Sequence, residues 1–320
     1  MNRSFTIKIF ILIILLLIAI FIGVINGSCN IPIAELLREN NRNILSLRIL
    51  RVFLAIVVGS GLTVSGIALQ AILRNPLAEP YLLGISSGAG LGALIAILTG
   101  IFTIYLPLAA FTGAILTIIL VYNISRQANK VPAQSLILSG VVISIALSGL
   151  LIFLISISNS ETLHSITWWL WGSLQVYDLR LILIVSVIVF VGITIIYIFS
   201  QDLNAISIGE EEAVHLGINT ETVKKILFFA TSLITASIVC ISGVIGFVGL
   251  IIPHIMRLIV GPNHRILIPI SCIAAAIFMI ICDLLSRSLF APLEIPIGVI
   301  TSFAGAIIFI VLLKKSQRIK

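Results

Sequence analysis

The chain has 320 residues, 19 of them basic and 12 acidic, giving a formal charge of +7. Hydrophobic residues make up 60% and charged residues 10% of it, with a mean hydropathy of +1.26, whereas soluble domains are about 25% charged. This excludes an ordinary soluble enzyme, a disordered chain and a disulfide scaffold, and apolar runs of about 20 residues mark an α-helical membrane protein rather than a transmembrane barrel.

The runs follow one another at 8–26, 50–70, 81–99, 105–125, 133–157, 180–200, 224–242, 246–260, 266–288 and 295–313. The eighth is short and contains Pro253, so its ends are the least defined. The first follows Arg3 and Lys8, but it is longer than a signal-peptide core and no small-x-small cleavage site follows, so it is read as a span. The stretches between runs are too short to bury cores of their own. The predicted fold is therefore all-α: a polytopic membrane protein of about ten transmembrane helices with short loops, one domain over 1–320 and no separate soluble domain.

Ten spans put both termini on one side. If that side is the cytoplasm, Arg3, Lys8, Arg74, Arg126, Lys130, Lys224, Lys225, Arg257, Arg265, Lys314, Lys315, Arg318 and Lys320 lie inside, and Arg38, Arg42, Arg48, Arg51, Arg180 and Arg287 lie outside. The excess of basic residues inside supports that orientation, and it makes nucleic acid unnecessary as an explanation of the charge. The outer cluster in 38–51 runs against the rule. Arg48 and Arg51 lie one helical turn apart at the start of the second span, and Arg287 near the end of the ninth. They read either as snorkelling anchors or as a docking surface for an acidic partner; spacing leaves both open.

Further along, Gly59, Gly61 and Gly66 in the second run and Gly84, Gly88, Gly90 and Gly92 in the third predict close helix approach. Segment 74–80, Arg-Asn-Pro-Leu-Ala-Glu-Pro, breaks the chain between these runs; it is a plain turn or part of a gate, since irregular backbone at membrane depth needs surrounding protein or a water-filled cavity. Trp168, Trp169 and Trp171 fall between the fifth and sixth runs, as an interfacial aromatic belt or a stacking surface. Segment 207–218 predicts a short helix over about 210–216: Ser207 and Glu210 resemble a capping box, three glutamates favour a helix start, and Gly217 can end it in a left-handed turn. So short a helix is unstable alone, so it packs on its own membrane domain or fits a groove on a cytoplasmic partner. Leu216, three residues after Ala213, is expected to share its face.

Intramembrane charges are functional candidates, here Asp283, Glu294 and Glu79, although Asp283 and Arg287 at i,i+4 also read as a mutually neutralising pair. No catalytic constellation or metal motif is present in the sequence. Cys29, Cys240, Cys272 and Cys282 lack C-x-x-C spacing and read as small apolar residues. There is no G-x-x-x-x-G-K-[ST], and none of the seven lysines follows a glycine, so the chain cannot build a P-loop.

From about Arg48 to Lys314 the sequence resembles the permease family of ATP-driven importers for iron–siderophore complexes, haem and vitamin B12. The resemblance rests on Arg48-Ile49-Leu50-Arg51, on Asn75-Pro76-Leu77-Ala78-Glu79-Pro80 with Leu83-Gly84-Ile85-Ser86-Ser87-Gly88-Ala89, and on Gly209-Glu210-Glu211-Glu212-Ala213 with Leu216-Gly217. It continues in Gly243-Val244-Ile245-Gly246-Phe247-Val248-Gly249-Leu250-Ile251-Ile252-Pro253-His254-Ile255-Met256-Arg257 and Glu294-Ile295-Pro296-Ile297-Gly298. Leu50 stands where the family usually has Pro. The resemblance implies a homodimer with the substrate path between subunits, two cytoplasmic ATP-binding subunits carrying the ATP and Mg, an extracellular or periplasmic binding protein, and no cofactor on this chain. By the same resemblance Arg48, Arg51 and Arg287 meet acidic residues of the binding protein. Asn75, Leu77, Ala133 and Gln134 belong to the inner gate. The helix bearing Gly209, Glu210, Glu211, Ala213, Leu216 and Gly217 couples to the ATPase. The ligand class expected is a metal chelate, iron(III)–siderophore first, with haem, cobalamin and oxyanions open. Rival readings are an ion-coupled secondary transporter using Asp283 and Glu294, and a sensory or structural membrane protein.

Overall fold

The computed structural model describes residues 3–29, 31–36, 38–100, 105–127, 130–176 and 178–317; Arg318 and Lys320, counted above among the inner basic residues, lie outside them. The chain folds into helices α1 (Arg3–Ile25), α2 (Ile33–Leu36), α3 (Arg42–Ile72), α4 (Ile85–Leu98), α5 (Leu106–Ser125), α6 (Ala133–Ser156), α7 (Ser160–Leu170), α8 (Leu179–Ile198), α9 (Ser200–Ile208), α10 (Glu210–His215), α11 (Thr220–Ser242), α12 (Val248–Val260), α13 (His264–Ser288) and α14 (Ile297–Gln317). Each of the ten apolar runs falls on one of these helices. Seven are long and apolar enough to cross a membrane, and three apolar helices, Ile85–Leu98, Val248–Val260 and Ile297–Leu312, are shorter. Helix α7 was not among the runs; Asn159 starts it, its side-chain oxygen accepting from Thr162 N–H at 2.8 Å, and its mixed composition hides it from a hydropathy reading.

Burial sorts the helices. α3, α11 and α13 form the centre, with 83%, 78% and 61% of their apolar windows buried, whereas α1 and α6 have 11% and 22%. The central helices approach through the predicted small residues: a Cβ added at Gly59 would lie 2.7 Å from the carbonyl oxygen of Ala275, and one at Gly61 2.6 Å from Ile238. The α4–α5 pair closes in the same way, with Gly92 against Ala109 and Gly113 against Gly88. Without a hydrophobic force between helices in lipid, such backbone proximity supplies the attraction through dispersion.

One contact shows how local sequence sets the packing. Pro253 lies inside α12 and has no N–H, so the carbonyl of Gly249, four residues earlier, loses its helical donor. Gln70 of α3 takes that role: its Nε2 donates to Gly249 O at 3.3 Å and to Ala78 O at 3.4 Å. Gly66, one turn before Gln70, makes room for this, since a Cβ there would sit 1.9 Å from Gly249 O. Gly66→Val is expected to push α12 off α3 and cost more than the about 1–3 kcal/mol of ordinary overpacking, because the obstacle is backbone. Thermal unfolding of the purified variant checks this; a midpoint equal to wild type would refute it.

The helix ends pair up. Lys8 Nζ donates to Ile259 O at 2.9 Å, joining the start of α1 to the end of α12, and Asn204 of α9 holds the start of α13. At the other end, Arg48 of α3 and Arg287 of α13 both reach carbonyls at the end of α1.

Candidate functional site

The predicted residues fall in three regions. At the α1 C-terminal end, Arg48, Arg51 and Arg287 cluster, with Arg48 6% and Arg287 2% exposed. Arg48 donates to Ile25 O, to Cys29 O at 2.9 Å and to Val24 O at 3.4 Å, satisfying carbonyls that the end of α1 leaves open. Arg51 Nε meets Asp283 at 2.6 Å and its Nη1 meets Glu294 at 2.9 Å. Arg287 Nη2 donates to Gly23 O at 2.6 Å, and its Nε lies 3.2 Å from Asp283 in an ion pair without hydrogen-bond geometry. Gln175 Nε2 completes the set, donating to Glu294 at 2.6 Å. The cluster therefore links α1, α3, α13 and the segments before α8 and α14. It carries three cations against two carboxylates and borders a pocket of about 230 Å³. The i,i+4 pairing of Asp283 with Arg287 was visible in the sequence, whereas Arg51 with Asp283, 232 residues away, was not.

The second region is where helices break. Segment 74–84 lies against the elbow 243–247 between α11 and α12. Asn75 folds back on itself, its side-chain oxygen accepting from Leu77 N–H at 2.9 Å, and Leu77 is 53% exposed. Glu79 accepts from Phe247 N–H at 2.7 Å, and Ile245 N–H donates to Tyr81 Oη at 3.3 Å. Phe247 sits in the left-handed region at φ 70, a strained conformation for a bulky residue. The Glu79 carboxylate fixes it at the positive end of α12. Burial pushes the Glu79 carboxyl above its ordinary range, and this N–H pulls the other way. Of the other residues expected at the gate, Ala133 starts α6 beside Leu73, Glu221 and Lys224, and Gln134 is exposed. Asn75 lines a different pocket, with Asn204 and Arg257, so the four do not share one cavity in this chain. Sequence reading missed Gln70 and Tyr81; the amide inside an apolar run was the available signal for the first.

The third region is the short helix. It spans Glu210–His215, and it ends as expected. Gly217 takes φ 83, Gly217 N–H bonds Val214 O at 2.9 Å and Ile218 N–H bonds Ala213 O at 3.1 Å, the double closure of a Schellman motif. The capping box is corrected. Helix α9 runs on to Ile208, so Ser207 sits in its last turn and donates to Leu203 O at 2.7 Å, and the N-cap of α10 is Gly209, without a side-chain cap. The Glu212 carboxylate, the movable end of a side chain, curls over Gly209, 1.6 Å from where a Cβ would be. Glu210 pairs with Lys224 at 2.8 Å, and Lys224 also with Glu221 at 2.8 Å, tying α10 to α11; Glu211 is exposed. The expected shared face of Ala213 and Leu216 is also corrected. Ala213 is 0% exposed and seats α10 on its own chain, while Leu216 is 72% exposed. Ile208 and Val214, at 72% and 56% exposed, join Leu216 as outward apolar residues.

Among the described residues no group of His, Cys, Asp and Glu is placed to hold a metal. Many apolar helices, a break packed on the elbow before α12 and a short helix pair on a polar loop describe a polytopic membrane transport protein, and its class is the permease of an ABC transporter. The chain belongs to the FecCD transport family, whose model matches residues 11–315. It is 36% identical to the cobalamin import system permease BtuC of Halobacterium salinarum over 85% of this chain and 73% of that protein. It is 38% identical to the molybdate import system permease MolB of Haemophilus influenzae over 86% of this chain and 82% of that protein. A solved inward-facing structure, assigned as a metal-chelate type ABC transporter, superposes with a TM-score of 0.86 at 35% identity, covering 96% of this chain and 98% of that one. The family assignment removes the ion-coupled alternative, and Asp283 and Glu294, its coupling residues, are each held by an arginine.

Proposed function

We propose that this chain is the membrane permease of an ATP-driven importer for a metal chelate, with iron(III)–siderophore complexes as the first candidate ligand. It performs no bond chemistry. The observation that carries the mechanism is the exposed apolar set Ile208, Val214 and Leu216 on a loop whose helix bears three glutamates. Apolar groups standing out of a polar segment mark a contact surface. Two cytoplasmic subunits that bind ATP and Mg would seat this surface in a groove and bias inward-open against outward-open states through differential contacts.

In this reading both termini lie in the cytoplasm and the chain sits in the cytoplasmic membrane. The α10 end faces inward, and the arginine cluster faces an extracellular or periplasmic binding protein. The surplus cation of Arg48, Arg51 and Arg287 over Asp283 and Glu294 supports an acidic docking partner there. Leu138, Val142, Ile145, Gly149 and Ile152 form an exposed stripe along α6 at the alternating spacing of a helix seam, and among the described residues no neighbouring element comes within 4 Å of where a Cβ on Gly149 would stand. This supports a homodimer whose path runs between subunits, with Asn75, Leu77, Ala133 and Gln134 toward its inner mouth. Relatives named for cobalamin and for molybdate lie at similar identity, so identity does not sort the ligand; the metal-chelate assignment of the structural relative supports that class.

The test is reconstitution with the cognate ATPase and binding protein, and uptake of labelled ferric siderophore, haem, cobalamin and molybdate in parallel. Uptake of none of them refutes the reading, and uptake of molybdate alone refutes the chelate. The isolated chain in lipid is expected to hydrolyse no ATP, since it lacks a P-loop; steady hydrolysis by the purified chain would refute the division of labour.

A further inference from the structure

At the α10 end, the turn after α3, helix α9, the end of α12 and the start of α13 enclose an open pocket of about 660 Å³. Arg74, Arg257 and His264 line it with the side chains of Asn75, Asn204 and Asn263, and no Asp or Glu does. Arg257 is half-buried, and both its terminal nitrogens point at one neutral acceptor, Gln70 Oε1, at 3.1 Å each. Among the described residues neither Arg257 nor Arg74 makes an ion pair. His264 is 3% exposed; its Nδ1 shares Asn204 Oδ1 with the His264 backbone N–H, so Nδ1 donates, and Nε2 has no partner. The first N–H groups of α13 are already taken by Asn204 and Asn263, so a vacant helix end is not what makes the pocket basic. Two guanidinium groups thus border one pocket with no ion-pair partner among the described residues, Arg74 exposed and Arg257 half-buried, and for the half-buried one withdrawal from water is costly.

We propose that this pocket binds a phosphate group, held by Arg74 and Arg257. Two guanidinium forks present more N–H donors than the lone pairs of one carboxylate use, and a phosphate's oxygens match them. The amides of Asn75 and Asn204, which line the same pocket, supply further polar contacts. The volume exceeds that of inorganic phosphate, so the group is carried either by an anionic lipid headgroup or by a soluble phosphate compound. The pocket joins the turn that holds Asn75 to α9, which precedes the coupling helix. The inference does not depend on what the chain transports.

The test uses the full-length chain in nanodiscs. In zwitterionic phosphatidylcholine discs, thermal unfolding is followed against inorganic phosphate, with chloride at equal ionic strength as reference. In a second arm the discs contain phosphatidylglycerol and no phosphate is added. Stabilisation in the first arm alone identifies a soluble phosphate, and in the second alone a headgroup. Arg74→Asn suits the left-handed backbone at φ 47 and removes no side-chain ion pair made among the described residues, and Arg257→Gln removes the second fork. Each is expected to weaken the effective arm about tenfold or more, the loss of one charge-assisted contact. The pair Arg38→Gln and Arg42→Gln, exposed near the start of α3, is expected to leave it unchanged. No stabilisation in either arm, or equal stabilisation of wild type, Arg74→Asn and Arg257→Gln, overturns the proposal.

Discussion

Asp283→Ala is expected to lower the stability of the purified chain by about 3–5 kcal/mol, the cost of leaving buried charges without a partner. Asp283 is 1% exposed and is the carboxylate that Arg51 and Arg287 share. Among the described residues, removing it leaves Arg51 with Glu294 and Arg287 with the carbonyl of Gly23. Asp283→Leu combined with Arg287→Met should recover most of the loss, because a buried ion pair replaced whole by apolar groups of similar size is often neutral. Denaturation in detergent, followed by intrinsic fluorescence, reads both variants. If the single change costs no more than a surface substitution, the cluster is solvated and does not hold α1, α3 and α13 together. The same geometry constrains any test of docking. Reversing Arg51 to Glu would place a third carboxylate beside Asp283 and Glu294, so lost partner binding would follow from local unfolding as readily as from lost charge complementarity. A docking experiment has to begin from a variant shown to unfold like wild type.

The fold was legible wherever a physical signal was local and repeated. Ten apolar runs fell on ten apolar helices because burial in lipid requires a continuous apolar stretch, and the left-handed stop at Gly217 followed from a residue that tolerates that conformation. What was not legible depends on residues far apart in the chain. Arg51 and Asp283 pair across 232 positions, and nothing in either neighbourhood shows which arginine takes which carboxylate. Gln70 looks like an isolated amide until Pro253 places an unsatisfied carbonyl opposite it. The capping box failed because Ser207 had a competing local acceptor, Leu203 O, once α9 extended to Ile208. The face of α10 was misjudged for a related reason. A helix of six residues has no hydrophobic period long enough to define its inner side, so the packing of α9 and α11 decides that Ala213 goes in and Leu216 goes out.

Leu216→Asp is therefore expected to separate energy input from folding. The side chain is 72% exposed and follows the last residue of α10, so the change removes little packing from this chain and the unfolding midpoint should stay at the wild-type value. If Leu216 seats in a groove of the ATPase, the same change puts a carboxylate into an apolar contact. Loss of a hot-spot residue costs at least about 2 kcal/mol, which is about 30-fold in affinity. Co-purification of the ATPase and ATP-dependent uptake in proteoliposomes should both fall to near background. Asn219→Ala serves as a control for the stability readout, because its side chain starts α11 by accepting from Thr222 N–H at 3.1 Å and its loss acts on the fold. Ala213→Trp should behave like that control in kind and more severely in degree, since Ala213 is fully buried. It should lower the midpoint first and lose the ATPase only as a consequence. If Leu216→Asp keeps the ATPase and transports normally while Ala213→Trp still unfolds, then α10 packs only on its own membrane domain, and the energy of ATP binding enters through another loop.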